Sequence, residues 1–229
     1  MKLIRKGNRP AHRGVIGIEA AIVLIAFVIV AAALAFVVLN MGFSTTQKAK
    51  TAIIAAIAEA GSSMEVAGKM TAAGDVANQT LTAVNIPLKI VSGGATSNLG
   101  INATSIRFIS GLVEYDNIFF CPALSGEFYT PDSAWTQAAT DCPTIINTNP
   151  ISGGGVLNNT TAIIYWSVNL NDNSILDIAE HAIMSVGFSA LDQPTQLIHM
   201  SFEILTPTGA PLTVDRTVPS VTSQVVDLG

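Results

Sequence analysis

Apolar residues fill the chain almost without interruption from Val15 to Leu39, and the pattern then loosens without breaking. In the stretch that follows, Ile53, Ile54 and Ile57 recur at helical spacing while Lys48, Lys50 and Glu59 fall elsewhere, which marks an amphipathic helix. The two patterns join into one predicted helix over residues 15–60. Gly61, Ser62 and Ser63 predict a kink or an end, although the run "MEVAGKMTAA" is able to carry the helix on to Ala73. A helix of ~45–58 residues is roughly 70–90 Å long at 1.5 Å per residue, far more than a bilayer is thick. Small residues recur within it (Ala31, Ala32, Ala33, Ala35), as expected where helices pack closely.

Beyond Gly74 the pattern changes period. Thr, Asn, Ser, Gly and Pro become frequent, and β-branched runs stand between turn signals. The runs "TLTAVNIPLKIV", "TSIRFISGLVEY", "TAIIYWSVNL", "QLIHMSFEILT" and "APLTVDRTV" read as strands. "TPTGAP" separates the last two as a hairpin loop would. "SGGGVLNN", from Ser152, is a flexible loop, and "SILDIAEHAIMSV" suits either a short helix or a strand. Short strands without alternating helices favour a β-sandwich. The predicted fold class is therefore α+β: a long hydrophobic N-terminal helix followed by an immunoglobulin-like β-sandwich. The expected division is a leader over 1–14, an assembly or transmembrane helix over 15–73, and an outer β-sandwich over 74–229.

Composition and charge sharpen this picture. Hydrophobic residues make up 49% of the 229 and charged residues 12%. Between Ala20 and Gln47 there is no charge, and about 20 apolar residues suffice to cross a bilayer. The net charge of −5 hides an asymmetry, because Lys2, Arg5, Lys6, Arg9 and Arg13 precede the apolar run with no acid among them. Without them, 6 basic residues face 16 acidic ones, a formal charge of −10. A basic start before an apolar helix keeps the N-terminus cytoplasmic and sends the remainder across. The acidic remainder argues against nucleic acid as a partner and suits a solvated outer surface.

Candidate chemistry is sparse. There is no phosphate-binding loop, no His-Glu-x-x-His motif and no sign of a cofactor or metal site. His199 reads as a polar residue on an alternating strand, and Glu180-His181 beside Asp177 lacks convergent partners. "NLNDN", Asn169 to Asn173, offers oxygens suited to calcium but reads as lacking the glycine and terminal glutamate of an EF-hand, so a turn rich in Asn and Asp is the plain explanation. Cys121 and Cys142 lie in the part expected outside, where a disulfide is permitted, with two buried reduced thiols as the alternative. Closing a loop of about 20 residues is worth roughly 3 kcal/mol. Four glycosylation sequons begin at Asn78, Asn102, Asn158 and Asn159, all in the exported portion; an Asn/Thr-rich composition also produces such matches by chance.

The leader is the most specific signal. "ALA" at 33–35 resembles a secretory cleavage site, but cutting there would discard the most coherent part of the chain. Arg13-Gly14 followed by the apolar helix resembles the class III signal peptide of archaeal flagellins (archaellins) and type IV pilins. The resemblance implies cleavage after Gly14 by a prepilin-type peptidase, with Val15 as the new N-terminus and Glu19 as the fifth mature residue, where type IV pilins carry a glutamate and many archaellins do not. "LNMGFSTTQKAKTAI" (39–53) and "SFEILTPTGAPLTVDRTVP" (201–219) resemble archaellin segments and favour that branch. The family implies a homopolymeric filament at the archaeal cell surface, with paralogous archaellins as companions, a membrane assembly platform, an ATPase motor, and transient residence in the cytoplasmic membrane. It also implies a role for Glu19 in assembly, facing the α-amino group of Val15. The alternatives are an adhesive type IV pilin and a single-pass anchored extracellular protein.

Overall fold

The computed structural model describes residues 13–61, 64–111, 113–152 and 155–229. Helix α1 (Arg13–Gly61) has 49 residues and no proline, so its ladder runs unbroken for about 74 Å. Threonines are poor helix formers, and here the hydroxyls of Thr45, Thr46 and Thr51 donate one turn back to the carbonyls of Met41, Gly42 and Gln47 at 2.7–2.8 Å. Their polarity is thereby satisfied inside the helix itself. The helix does not run on to Ala73. It ends at Gly61, and the stretch beyond is taken by strands β1 (Met64–Val66) and β2 (Thr71–Asp75). The reason is tertiary: Met64, Met70 and Ala72 are buried in a core they reach only in extended form, and β1 and β2 both pair with a later strand.

The chain divides into two units between Ala55 and Ala56. The second holds β1, β2 and the remaining elements: β3 (Thr80–Ile90), β4 (Ser97–Asn98), β5 (Ser105–Ser110), β6 (Glu114–Tyr115), helix α2 (Pro131–Asp141), β7 (Thr161–Val168), β8 (Ile175–Leu176), β9 (His181–Gly187), β10 (His199–Leu205), β11 (Leu212–Thr217) and β12 (Val225–Asp227). One antiparallel sheet runs β12-β2-β3-β9-β7, with β1 beside the far half of β3; a second runs β11-β10-β5-β6. β4 and β8 form a small separate ladder. The ambiguous stretch from Ser174 is thus strand, not helix.

Two cores hold this unit together. The larger lies between the sheets, with Val84, Ile86, Ile164, Trp166, Met184 and Val186 facing Phe108, Phe202, Met200 and Ile204. Phe108 stacks on Phe202 with ring centres 5.1 Å apart. The smaller covers the opposite face of the first sheet, where α2 lays Ala134, Trp135 and Ala138 against Ile163 and Tyr165. Strand β7 is buried from Thr161 to Trp166 because its alternate side chains enter the two cores in turn. α2 was not predicted from the sequence. Thr130 caps it by accepting the Ser133 N–H at 3.3 Å, and Pro131 occupies the first turn, where its missing N–H costs nothing.

Candidate functional site

The unusual surface of the molecule belongs to α1. Every described side chain from Gly17 to Ile57 is exposed. Phe27 is 74% exposed, Phe36 71% and Leu34 60%, and Ile53 and Ile57, far along the helix, are also more than half exposed. Burying one such side chain is worth about 1.5–3 kcal/mol, so the set represents on the order of tens of kcal/mol of unused driving force. The apolar residues surround the helix and do not form a single stripe, so one neighbour on one side cannot satisfy it. The segment Gly17–Ile57 is long and apolar enough to cross a membrane. Two environments meet its needs: lipid, or a bundle of similar helices.

Glu19 is exposed on this helix beside a shallow apolar cleft formed by Ala20, Val23, Leu24 and Phe27. The other described charged side chains of α1 are Lys48 and Lys50, many turns away. Gly14 and Val15 lie in the first turn of α1 with helical backbone. Their side chains, and leader residues 1–12, fall outside the described part of the structure.

In the β unit, Cys121 and Cys142 are joined, with S–S 2.04 Å and Cα–Cα 6.1 Å. Cys142 is the C-cap of α2, so the bond fastens the end of that helix to the segment leading out of β6. All four sequon asparagines are exposed. Asn78 is committed locally: its Nδ2 donates to Asp75 Oδ2 at 2.7 Å, and this bond, with backbone N–H groups of the same turn, holds the Asp75 carboxyl below the usual carboxylate range. The side-chain amides of Asn102, Asn158 and Asn159 make no hydrogen bond among the described residues.

The Asn169–Asn173 turn calls for one correction. A glutamate does occupy the twelfth position counted from Asn169: it is Glu180, and it is buried. Its oxygens, however, accept the backbone N–H groups of Leu170 and Asp177 at 2.8 and 3.0 Å. Asn169 Oδ1 accepts from Asp172 N–H at 2.9 Å and Asn173 Oδ1 from Ile175 N–H at 2.6 Å, so the turn is closed on itself. Among the described residues no three His, Cys, Asp or Glu side chains gather to hold a metal. His199 stands on the outer face of β10 with Nε2 3.8 Å from Asp215, and His181 opens β9 opposite Val168. Sequence reasoning missed Arg107, which on the outside of β5 pairs with Glu114 and lies 3.5 Å from Asp116 and 3.7 Å from Glu203.

Comparison with known proteins agrees with this arrangement. The profile of the archaeal-type flagellin family matches residues 14–216. "Probable flagellin 1" of Aeropyrum pernix is 34% identical over 95% of this chain and 98% of its own length. "Probable flagellin 2" of Archaeoglobus fulgidus is 28% identical over 94% and 96%. Among solved structures, the archaeal flagellum of Methanospirillum hungatei superposes with a TM-score of 0.59 at 20% identity, covering 92% of this chain and 98% of that one. The crystal structure of flagellin FlaB1 from Methanocaldococcus jannaschii gives 0.54 at 13% identity, covering 72% and 95%. These two establish the likeness of fold. With an apolar helix exposed all round, a sandwich that follows it in the sequence and a family match over residues 14–216, the chain belongs to the archaeal-type flagellin family.

Proposed function

We propose that this chain is the structural subunit of an archaeal motility filament and polymerises through α1. The observation that carries the reading is the all-round exposure of apolar side chains on that helix. In the membrane it satisfies its own backbone and presents only apolar groups to lipid. In a filament the same surface is buried against copies of itself. The two surroundings are alike, so transfer between them meets no large hydrophobic barrier. A plain anchor needs no apolar surface at Ile53, Ile54 and Ile57, which argues for a polymer over a single-pass protein. The hairpin of β10 and β11 carries the segment that resembles archaellins and favours a swimming filament over an adhesive pilus.

A prepilin-type peptidase cuts after Gly14 on the cytoplasmic side. A membrane platform with its ATPase motor draws subunits out, and paralogous archaellins join where the host makes them. Glu19 faces the new α-amino group of Val15, its own or a neighbour's. An unpaired carboxylate near an apolar core costs a few kcal/mol, so this pairing sets the register of the bundle. N-terminal sequencing of subunits purified from surface filaments is expected to read from Val15. Gly14→Val should leave the leader attached and the cells bare, and Glu19→Ala should leave the β unit folded but reduce filament number. Normal filaments from either variant would reject the corresponding assignment. Cells deleted for the gene that swim normally but fail to attach would make it an adhesive pilin.

A further inference from the structure

We propose that Asn159 carries an N-linked glycan whose first sugar is seated in a groove held open by the Cys121–Cys142 disulfide. The groove has a volume of 540 Å3 and three walls. Tyr115, Asn117 and Phe120 come from β6 and the segment after it, Thr144 and Ile145 from the loop after α2, and Asn159 from the approach to β7. The disulfide ties the first two walls together: Phe120 adjoins Cys121, and Thr144 follows Pro143 after Cys142. Two features that the sequence presents separately, the cysteine pair and a sequon, thus meet at one place.

The lining suits a sugar. Phe120 is 48% exposed and Tyr115 37%, two aromatic rings partly in water. A pyranose offers such rings an apolar C–H face and keeps its hydroxyls outward. Tyr115 is fixed, because its hydroxyl donates to Asp192 Oδ2 at 3.0 Å; that oxygen also accepts from Thr160 at 2.6 Å and Ser189 at 2.7 Å. Asn117 Oδ1 accepts the N–H groups of Ile106 and Phe119, which leaves its Nδ2 without an acceptor among the described residues and free to donate to a sugar hydroxyl. Of the four sequon asparagines, Asn159 lines the groove and the other three do not. Asn78 has in addition given its amide to Asp75.

The donor class is a saccharide linked through C1 to a polyprenyl phosphate. Asn159 Nδ2 attacks C1. The C1–N bond forms, the C1–O bond breaks with its electron pair leaving on the lipid phosphate, and the amide proton passes to a base of the transferring enzyme. The sequon hydroxyls of Thr160 and Thr161 are buried in the folded chain, so transfer precedes folding and the sugar takes its seat as the domain closes.

The inference rests on export of the chain, as the filament reading requires, and the test separates the two. Subunits are taken from filaments of the native host, reduced and cleaved at glutamate, and the peptide spanning 128–180 is read by mass spectrometry. A saccharide is expected on Asn159. It should be lost in Asn159→Gln, which leaves the sequon of Asn158 intact, and kept in Asn158→Gln. For the seat itself, the glycosylated chain is expected to melt about 2–4 °C above Asn159→Gln. That gap should close when both carry Phe120→Ala, or Phe120→Leu, which keeps bulk without the ring. Filaments bearing an unmodified Asn159, or a sugar confined to another sequon, would overturn the site. A gap unchanged by both Phe120 variants would overturn the groove. Absence of the chain from any filament would instead sink the filament reading.

Discussion

Gly187 ends β9 beneath Trp135 of α2, and its missing side chain is what lets the indole pack so closely on the strand. A Cβ there would sit 2.5 Å from Leu157 Cδ1, 2.9 Å from Trp135 Cη2 and 3.1 Å from Pro150 Cγ. Trp135 cannot retreat, because its Nε1 donates to Ser185 at 2.7 Å and Ser185 in turn donates to Asn85 at 2.6 Å, all three being buried. Gly187→Ala is therefore expected to cost about 1–3 kcal/mol through overpacking. Thermal unfolding of the full-length chain in detergent would show it as a drop of several degrees, and an unchanged midpoint would contradict the packing argument. Nothing in the sequence marks Gly187, since the residue it accommodates is about fifty positions away. Pro87 is the opposite case. It interrupts a strong strand pattern, yet β3 pairs with β2 as far as Asn85 and with β1 from Leu88, so Pro87 falls where β3 passes from one neighbour to the other, and its carbonyl still accepts the Ala67 N–H at 2.8 Å. The residue types of Glu19, the cysteines and the sequons were plain from the sequence. The burial of Glu180 and the ion-pair hub at Arg107 were not, because both depend on strands brought together from afar.

At the level of elements, legibility followed the strength of the local pattern. α1 declared itself by apolar monotony, and β3, β7, β10 and β11 by β-branched runs between turns. The stretch that forms β1 and β2 suits a tail of the helix equally well, because Ala, Met, Val and Lys fit either state, and only pairing with β3 decides. α2 stayed hidden because it is short and buries only Ala134, Trp135 and Ala138. The disulfide has its effect on this element. It closes a loop over a sequence separation of 21 residues that contains all of α2. Loop-closure entropy for such a length is worth roughly 3 kcal/mol. Replacing both cysteines by serine should lower the denaturant midpoint accordingly while the sandwich between the two sheets stays folded. A loss under about 1 kcal/mol would mean that Trp135 and its neighbours hold the helix without the bond.

At the scale of the molecule, two surfaces of opposite character share one chain. α1 is apolar on every side, and the sandwich is acidic with its cations already engaged. Lys69 bonds Asp227 at 2.6 Å, Lys89 lies 3.0 Å from Glu65, Arg107 serves three carboxylates, and Arg216 bonds backbone carbonyls. The acidic surplus is therefore left uncompensated, and filaments of this chain are expected to repel one another. Salt screens that charge, over about 8 Å at 0.15 M and about 3 Å at 1 M. Purified filaments are expected to disperse at low salt and bundle at high salt, by light scattering and negative-stain imaging; bundling equally at both would mean that surface charge does not keep them apart. The naked helix has a further consequence, one of supply. A chain with this much apolar surface has no resting form in water, so it cannot be stockpiled in the cytoplasm. The reservoir for growth is the membrane, and the number of subunits awaiting use scales with membrane area and not with cell volume. A cell that lengthens its filament must first make room for it in lipid.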